Sequence, residues 1–249
     1  MKKSINPVLL TTASILGLAC LVPLVSAATI HAEDFDANDG SYVAALFDPV
    51  ADPASGATTS GPWVVAPNGV GATNAWSVIG GEGGSSPFEH HLTSPVINVP
   101  GNGPVSLEFD HQTNLEGQWD GGVIMTSVNG APFVQLTTFS LNGYNDTMQS
   151  SNPWGYPVGT EDMTGLAMFS GVSVGFVSSV GEIGNLSSGD TLQVRFRGGW
   201  DWGFVQGGGE PEWIVDNVTV NQSPIPEPSS ALFVGMAGLA LVLKRRLRK

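Results

Sequence analysis

The sequence predicts an all-β domain set between two targeting segments, and three stretches predict the strands. In Val105–His111 the apolar Val105, Leu107 and Phe109 alternate with Ser106, Glu108 and Asp110, the period-2 pattern of a strand buried on one face. Gly121–Val128 is a second β-rich run, followed at once by Asn129-Gly130, a pair that accepts the positive φ angles of a two-residue hairpin turn. Phe133, Val134 and Leu136 then form the return strand. Thr191–Arg197 repeats the alternation, with Leu192, Val194 and Phe196 inward and Gln193, Arg195 and Arg197 outward.

The ends read as export signals. Lys2 and Lys3 precede an apolar run from Pro7 to Val25, and Val25-Ser26-Ala27 supplies a signal peptidase site, so residues 1–27 are expected to be a signal peptide cut after Ala27. The rival is lipidation at Cys20, for which Gly17 stands where a branched or leucine side chain is wanted. Residues 28–223 form the body, and 224–249 the tail. In the tail Pro226-Glu227-Pro228 is followed by the uncharged Ser229–Leu243 and then a basic cluster beginning Lys244, Arg245, Arg246. At ~1.5 Å per residue that apolar helix is about 22 Å long, a thin span for a ~30 Å hydrocarbon core. The cluster keeps the tail's end in the cytoplasm and the body outside.

All 22 acidic residues lie between Glu33 and Glu227, and the body's only cations are Arg195 and Arg197, with no lysine. Such a body repels nucleic acid and anionic lipid and concentrates cations. The two arginines are expected to pair with carboxylates of a neighbouring strand. The single cysteine, Cys20, falls in the leader, so the body has neither disulfides nor a thiol catalyst.

Along the body, Ile30–Phe35 reads as an opening strand. The acidic run that follows, Asp34 to Gly40, places oxygen ligands at alternate positions as calcium loops do. It misses an EF-hand, because its glycine comes one residue late and Ala45 stands at the twelfth position; a solvated turn is the plain alternative. Asp48–Gly84 reads as two short strands and long loops around Trp63 and Trp76. His90-His91, adjacent on a strand, point to opposite faces and cannot easily share one ion. His111–Asp120 is a polar loop carrying Glu116, Trp119 and Asp120. Tyr144–Thr164 has no periodicity and carries Trp154 and Tyr156, either a sugar-stacking platform or a rim closing the core. Gly165–Ser179 is β-rich. In the closing strand, Trp213–Val220, the residues Ile214, Val218 and Val220 share a face that Asp216 interrupts; the acid needs a cation shared with Glu33–Asp36, or backbone amides.

The tail of Pro226-Glu227-Pro228, short apolar helix and terminal basic cluster resembles the PEP-CTERM sorting signal of Gram-negative bacteria that make exopolysaccharide. That resemblance implies recognition by an exosortase, processing near the P-E-P, and release or re-anchoring at the surface. The body resembles the jelly-roll domains of the MAM and immune inhibitor A type. The residues that carry the likeness are Leu92-Thr93-Ser94-Pro95, Phe109-Asp110-His111 with Glu116, Asp120-Gly121-Gly122, Ser127-Val128-Asn129-Gly130, Arg195-Phe196-Arg197 and Trp213–Val218. It implies a two-sheet antiparallel sandwich, a binding or adhesion role and a structural calcium, but not disulfides, since the cysteines are absent.

The function expected is therefore an exported, non-catalytic surface or matrix module, with Trp119, Trp154 and Tyr156 as candidate polysaccharide contacts and Glu33, Asp34, Asp36, Asn38 and Asp216 as candidate calcium ligands. Its partners in export would be signal peptidase and exosortase. Two alternatives stand beside it. One is a glycoside-cleaving enzyme using Glu108 and Asp110, which sit two apart on one strand face at roughly 7 Å, near the separation of an inverting pair. The other is a structural matrix protein gelled by divalent cations. No His-Glu-x-x-His or phosphate-cradling loop supports another enzyme class.

Overall fold

A computed structural model describes residues 27–47, 63–78, 88–149, 163–200 and 211–223. Its strands are β1 (Ala28–Glu33), β2 (Val43–Phe47), β3 (Val64–Ala66), β4 (Ala75–Val78), β5 (Phe88–Thr93), β6 (Ile97–Asn98), β7 (Gly103–Thr113), β8 (Gly121–Val128), β9 (Val134–Gln135), β10 (Phe139–Leu141), β11 (Asp146–Thr147), β12 (Ala167–Met168), β13 (Val177–Leu186), β14 (Thr191–Trp200) and β15 (Trp213–Gln222). One sheet runs β10-β13-β7-β15-β4-β3, with β1 also on β15; the other runs β2-β5-β14-β8-β9, with β6 on β14. All pairings are antiparallel. From β4 to β15 the main strands cross between the sheets in a double Greek-key order.

The alternation of β7 is realised over its whole length, with Gly103, Val105, Leu107, Phe109, His111 and Thr113 all buried. Facing them from β14 are Leu192, Val194 and Phe196, each fully buried. Phe109 and Phe196 meet edge to face at 5.3 Å, and Phe196 meets Trp213 at 6.1 Å. Such aromatic pairs add about 0.5–1.5 kcal/mol beyond the area they bury. The Asn129-Gly130 turn forms as expected, with φ of 54° and 71°.

The closing strand departs from the sequence expectation. Asp216 pairs with Asp110 and Thr219 with Glu108, so two residues, Asn217 and Val218, oppose the single Phe109. This is a β-bulge, with Asn217 at φ 49°. It reverses the side-chain phase: Trp213 and Val215 face the core before it, Val218 and Val220 after it, all fully buried. Ile214 and Asp216 belong to the outer face, so Asp216 does not interrupt the core.

β8 is buried on both faces. Its outward Val123 and Met125 pack with Met148, Met163 and Met168 under the connection that carries β9 to β12, making a second, methionine-rich core. Thus the described flanks of the aperiodic Tyr144–Thr164 stretch close a core.

The two ends of the sandwich differ. At one, tight turns join β8 to β9 and β13 to β14, and Ala28 pairs with Gln222, so the body's first and last strands begin and finish side by side. At the other end β2, β4, β7 and β14 finish and β3, β5, β8, β13 and β15 begin. Close packing there leaves no room at Gly122, where an added Cβ would lie 2.6–2.8 Å from the Trp213 ring. Gly122→Ala should cost about 1–3 kcal/mol, read as a Tm lowered by about 2–4 °C per kcal/mol in a domain of this size. An unchanged melting curve would mean that Trp213 can move aside.

Candidate functional site

The loop-bearing end is where rigid strands could present a ligand surface. Segments 48–62, 79–87 and 201–210 each leave and re-enter the described chain at strand termini of this end. The 114–120 loop lies among them, shorter than expected because β7 continues through His111 to Thr113. Within it the Trp119 and Asp120 N–H groups donate to the Glu116 carbonyl at 3.1 and 2.9 Å, and Ser170 Oγ donates to the Asp120 carbonyl at 2.6 Å. Burial pushes the Glu116 carboxyl above its ordinary range. Trp119 is half-buried. Gln149 N–H donates to the Gln118 carbonyl at 2.9 Å, which ties Gln149 to the Trp119 loop; Trp154 and Tyr156 lie outside the described residues.

At the same end a cavity of about 220 Å³ opens between β7, the start of β13 and the loops around residues 142–145 and 169–173. His111 lines it, 4 % exposed, its ring 4.4 Å from that of Phe169. Burial pushes its pKa down to about 4, so the imidazole is neutral at ordinary pH. The sequence reading placed His111 on a loop; continued alternation through Thr113 was the signal that it faces inward.

The outer face of β5 and β14 holds a buried ionic group. Arg197 Nε and Nη2 donate to the Glu89 carboxylate at 2.6 and 2.5 Å, and His91 Nε2 lies 2.9 Å from Glu89 Oε2. Glu89 is wholly buried. Burial alone would raise its pKa, but the hydrogen bonds and charges of His91 and Arg197 prevail and hold it below the usual range. Arg195 takes another arrangement: its Nε donates to Thr93 Oγ1 at 3.0 Å, and its guanidinium sits 3.7 Å from the Phe133 ring centroid. His90 points the opposite way from His91, into the core against Trp200 at 5.5 Å.

The five candidate calcium ligands are not gathered into one site. Glu33 accepts from Phe35 N–H at 3.0 Å, Asp34 from Asp36 N–H at 3.2 Å, Asn38 from Gly40 N–H at 2.8 Å and Asp36 from Asn74 N–H at 3.1 Å. Asp216 accepts from Val70 and Asn217 N–H at 2.8 and 2.7 Å, so its partners are the backbone amides. Burial, and then Asp110 and Asp36, push its carboxyl upward against the lowering effect of those amides. Among the described residues no three His, Cys, Asp or Glu side chains are placed to hold a metal ion, and this set does not fit a calcium site as arranged.

The carboxylates of the glycosidase alternative fare no better as a pair. Glu108 is exposed on an open sheet face, while Asp110 accepts from Ser178 Oγ and, at 2.9 Å, from Asn217 Nδ2. Ala27 is exposed; residues 1–26, read above as a signal peptide, and the tail with Pro226, Glu227, Pro228, Lys244, Arg245 and Arg246 lie outside the described residues. Among the described residues no helix is long and apolar enough to cross a membrane.

Two measurements follow from these titrating groups. Glu89→Gln leaves the Arg197 charge without its carboxylate and should cost about 3–5 kcal/mol in denaturant unfolding, whereas Glu89→Leu combined with Arg197→Met should cost less than that single change. His90 and His111, both with pKa values pushed down to about 4, mainly by burial, are neutral in the fold. The unfolded chain, with imidazoles near ~6.5, binds more protons below that pH. The stability they confer is thus complete above pH ~6.5 and lost as pH falls toward ~4, by about 1.4 kcal/mol per unit for each ring. His90→Gln should remove about half of this slope, read from unfolding curves across that range.

No family model and no curated protein sequence matches the chain. Among solved structures it is similar to the carbohydrate-binding module TmCBM61 in complex with beta-1,4-galactotriose, at TM-score 0.39 and 9 % identity over 76 % of this chain and 94 % of that one. It is also similar to the C-terminal CBM6 of LamC, a laminarinase from Zobellia galactanivorans, at TM-score 0.33 and 14 % identity over 72 % and 100 %. A third is the K3 cleaved adhesin domain of Lys-gingipain from Porphyromonas gingivalis, at TM-score 0.38 and 16 % identity over 78 % and 100 %. These are likenesses of low score and low identity.

Proposed function

We propose that the chain is an exported, non-catalytic jelly-roll module, sorted by an exosortase through its Pro226-Glu227-Pro228 tail and held at the cell surface or in the exopolysaccharide matrix, where its loop-bearing end binds carbohydrate. The observation that carries this is the division between the ends: the body's own first and last strands meet at the turn end, while Trp119 and the strand termini that flank segments 48–62, 79–87 and 201–210 lie at the other. A binding module needs such a free, loop-built surface on a stiff frame. Catalysis needs a positioned acid and base in a sheltered cleft. Glu108 lacks the shelter, and Asp110 is engaged with Ser178 and Asn217.

The test is a glycan array probed with the full chain in a sugar-free detergent, with and without calcium, alongside an assay for new reducing ends on the same polysaccharides. Binding without cleavage, unchanged in Glu108→Gln, is the expected result. Reducing ends that disappear in Glu108→Gln would replace this reading with the enzyme, and a calcium-dependent rise in Tm with no glycan bound would replace it with the gelled matrix protein.

A further inference from the structure

The cavity at His111 has a chemistry that narrows its occupant. Ser179 Oγ donates its one proton to the Asn142 carbonyl at 2.7 Å. It must therefore accept at its 3.0 Å contact with His111 Nε2, which fixes the proton of the neutral ring on Nε2 and leaves Nδ1 as a bare acceptor. That Nδ1 is buried and has no hydrogen-bond partner, an arrangement that is costly unless a donor arrives.

Among the described residues that line the cavity none is charged: the wall is made of Phe169 and Val177, and the mouth of Asn142, Asn145 and Ser173. On a body with 21 of the chain's 22 acidic residues, this neutral lining stands apart. Beside the mouth, Gly171 and Gly175, at φ of 73° and 75°, bracket a loop that Ser173 ties to Thr113 through its N–H at 2.9 Å. With Ser173 turned inward, Val172 and Val174 are displayed outward, 64 % and 103 % exposed. The volume of about 220 Å³ is several times the ~30 Å³ share of one water molecule and has room for a single six-membered sugar ring.

We propose that this pocket takes one uncharged pyranose residue, its apolar ring face against Phe169 and a hydroxyl donating to His111 Nδ1, directly or through one water. The inference rests on the carbohydrate-binding reading above and adds to it a location, a size and a charge preference. An aromatic face with a few fixed polar groups suits a ring that is apolar on its faces and polar at its rim. A uronate would bring its carboxylate into an acidic body with no cation among the described residues of this mouth, and it is refused.

The experiment titrates the full chain, in lauryldimethylamine oxide, with methyl β-D-galactopyranoside, methyl β-D-glucopyranoside, methyl α-D-mannopyranoside and methyl β-D-glucuronide, using saturation-transfer NMR and the nitrogen signals of labelled histidine. At least one neutral glycoside should bind in the millimolar range and move the His111 Nδ1 signal, and the glucuronide should not. Val177→Trp, a half-exposed rim position, fills the pocket and should abolish binding with Tm kept; His111→Phe should weaken it about tenfold. Should His111→Phe fail to fold, Val177→Trp still decides. Glycoside binding that leaves Nδ1 unmoved or survives Val177→Trp would overturn the pocket and leave the carbohydrate reading standing, as would binding of array polysaccharides with no glycoside signal. Silence from every glycoside and every polysaccharide would overturn both.

Discussion

The two-against-one bulge at Asn217 and Val218 is the constraint on which the sandwich turns. β15 is central in its sheet and must bury one face along ten residues, yet its apolar residues are out of phase in its two halves. Adding one residue at the bulge restores the phase, so that Trp213, Val215, Val218 and Val220 reach the same core. The same kink divides the strand's free edge: β4 pairs with residues before it and β1 with residues after it. Asp216, turned outward, then fastens the loop that begins at Gly69, whose own Cβ position would lie 2.6 Å from Asp216 Oδ2. One irregularity thus sets the core, the edge pairing and the anchoring of an outer loop.

The charge distribution has its own economy. A domain rich in carboxylates spends one of its two arginines on a carboxylate it buries completely, Glu89, and lays the other over an aromatic ring. Buried pairs of this kind tend to define geometry more than they add net stability. Here the pair locks β5 to β14 in the sheet whose outer surface also carries the methionine-rich core. Neutral, buried histidines sit at the loop end, His90 and His111, alongside the buried carboxylates Glu89, Asp120 and Glu212.

How far the sequence could be read depended on whether local pattern and long-range partner agreed. β7, β14 and the Asn129-Gly130 turn declare themselves, because alternation and turn chemistry are local. β13 was legible only at its start, since Gly181 and Gly184 thin its pattern; Gly181 sits where Leu136 would crowd a side chain, a reason visible only in three dimensions. The phase error in β15 came from applying strict period-2 to a strand with a bulge, though Asn217 was a hint, since asparagine tolerates positive φ. That Trp119 lies on a loop was legible from the polar residues around it. The cavity at His111 was not, because its walls come from β7, β13 and two separate connections, and only tertiary structure assembles them. The acidic opening stretch looked like a metal loop because Asx turns and calcium loops draw on the same residues.

Ala28 and Gln222 are paired neighbours, and β7 spans the body in eleven residues, roughly 36 Å at ~3.3 Å each. Any leash continuing past Ser223 therefore grips the module by its base. The cavity opens at the opposite end, the height of the strands away from the paired Ala28 and Gln222.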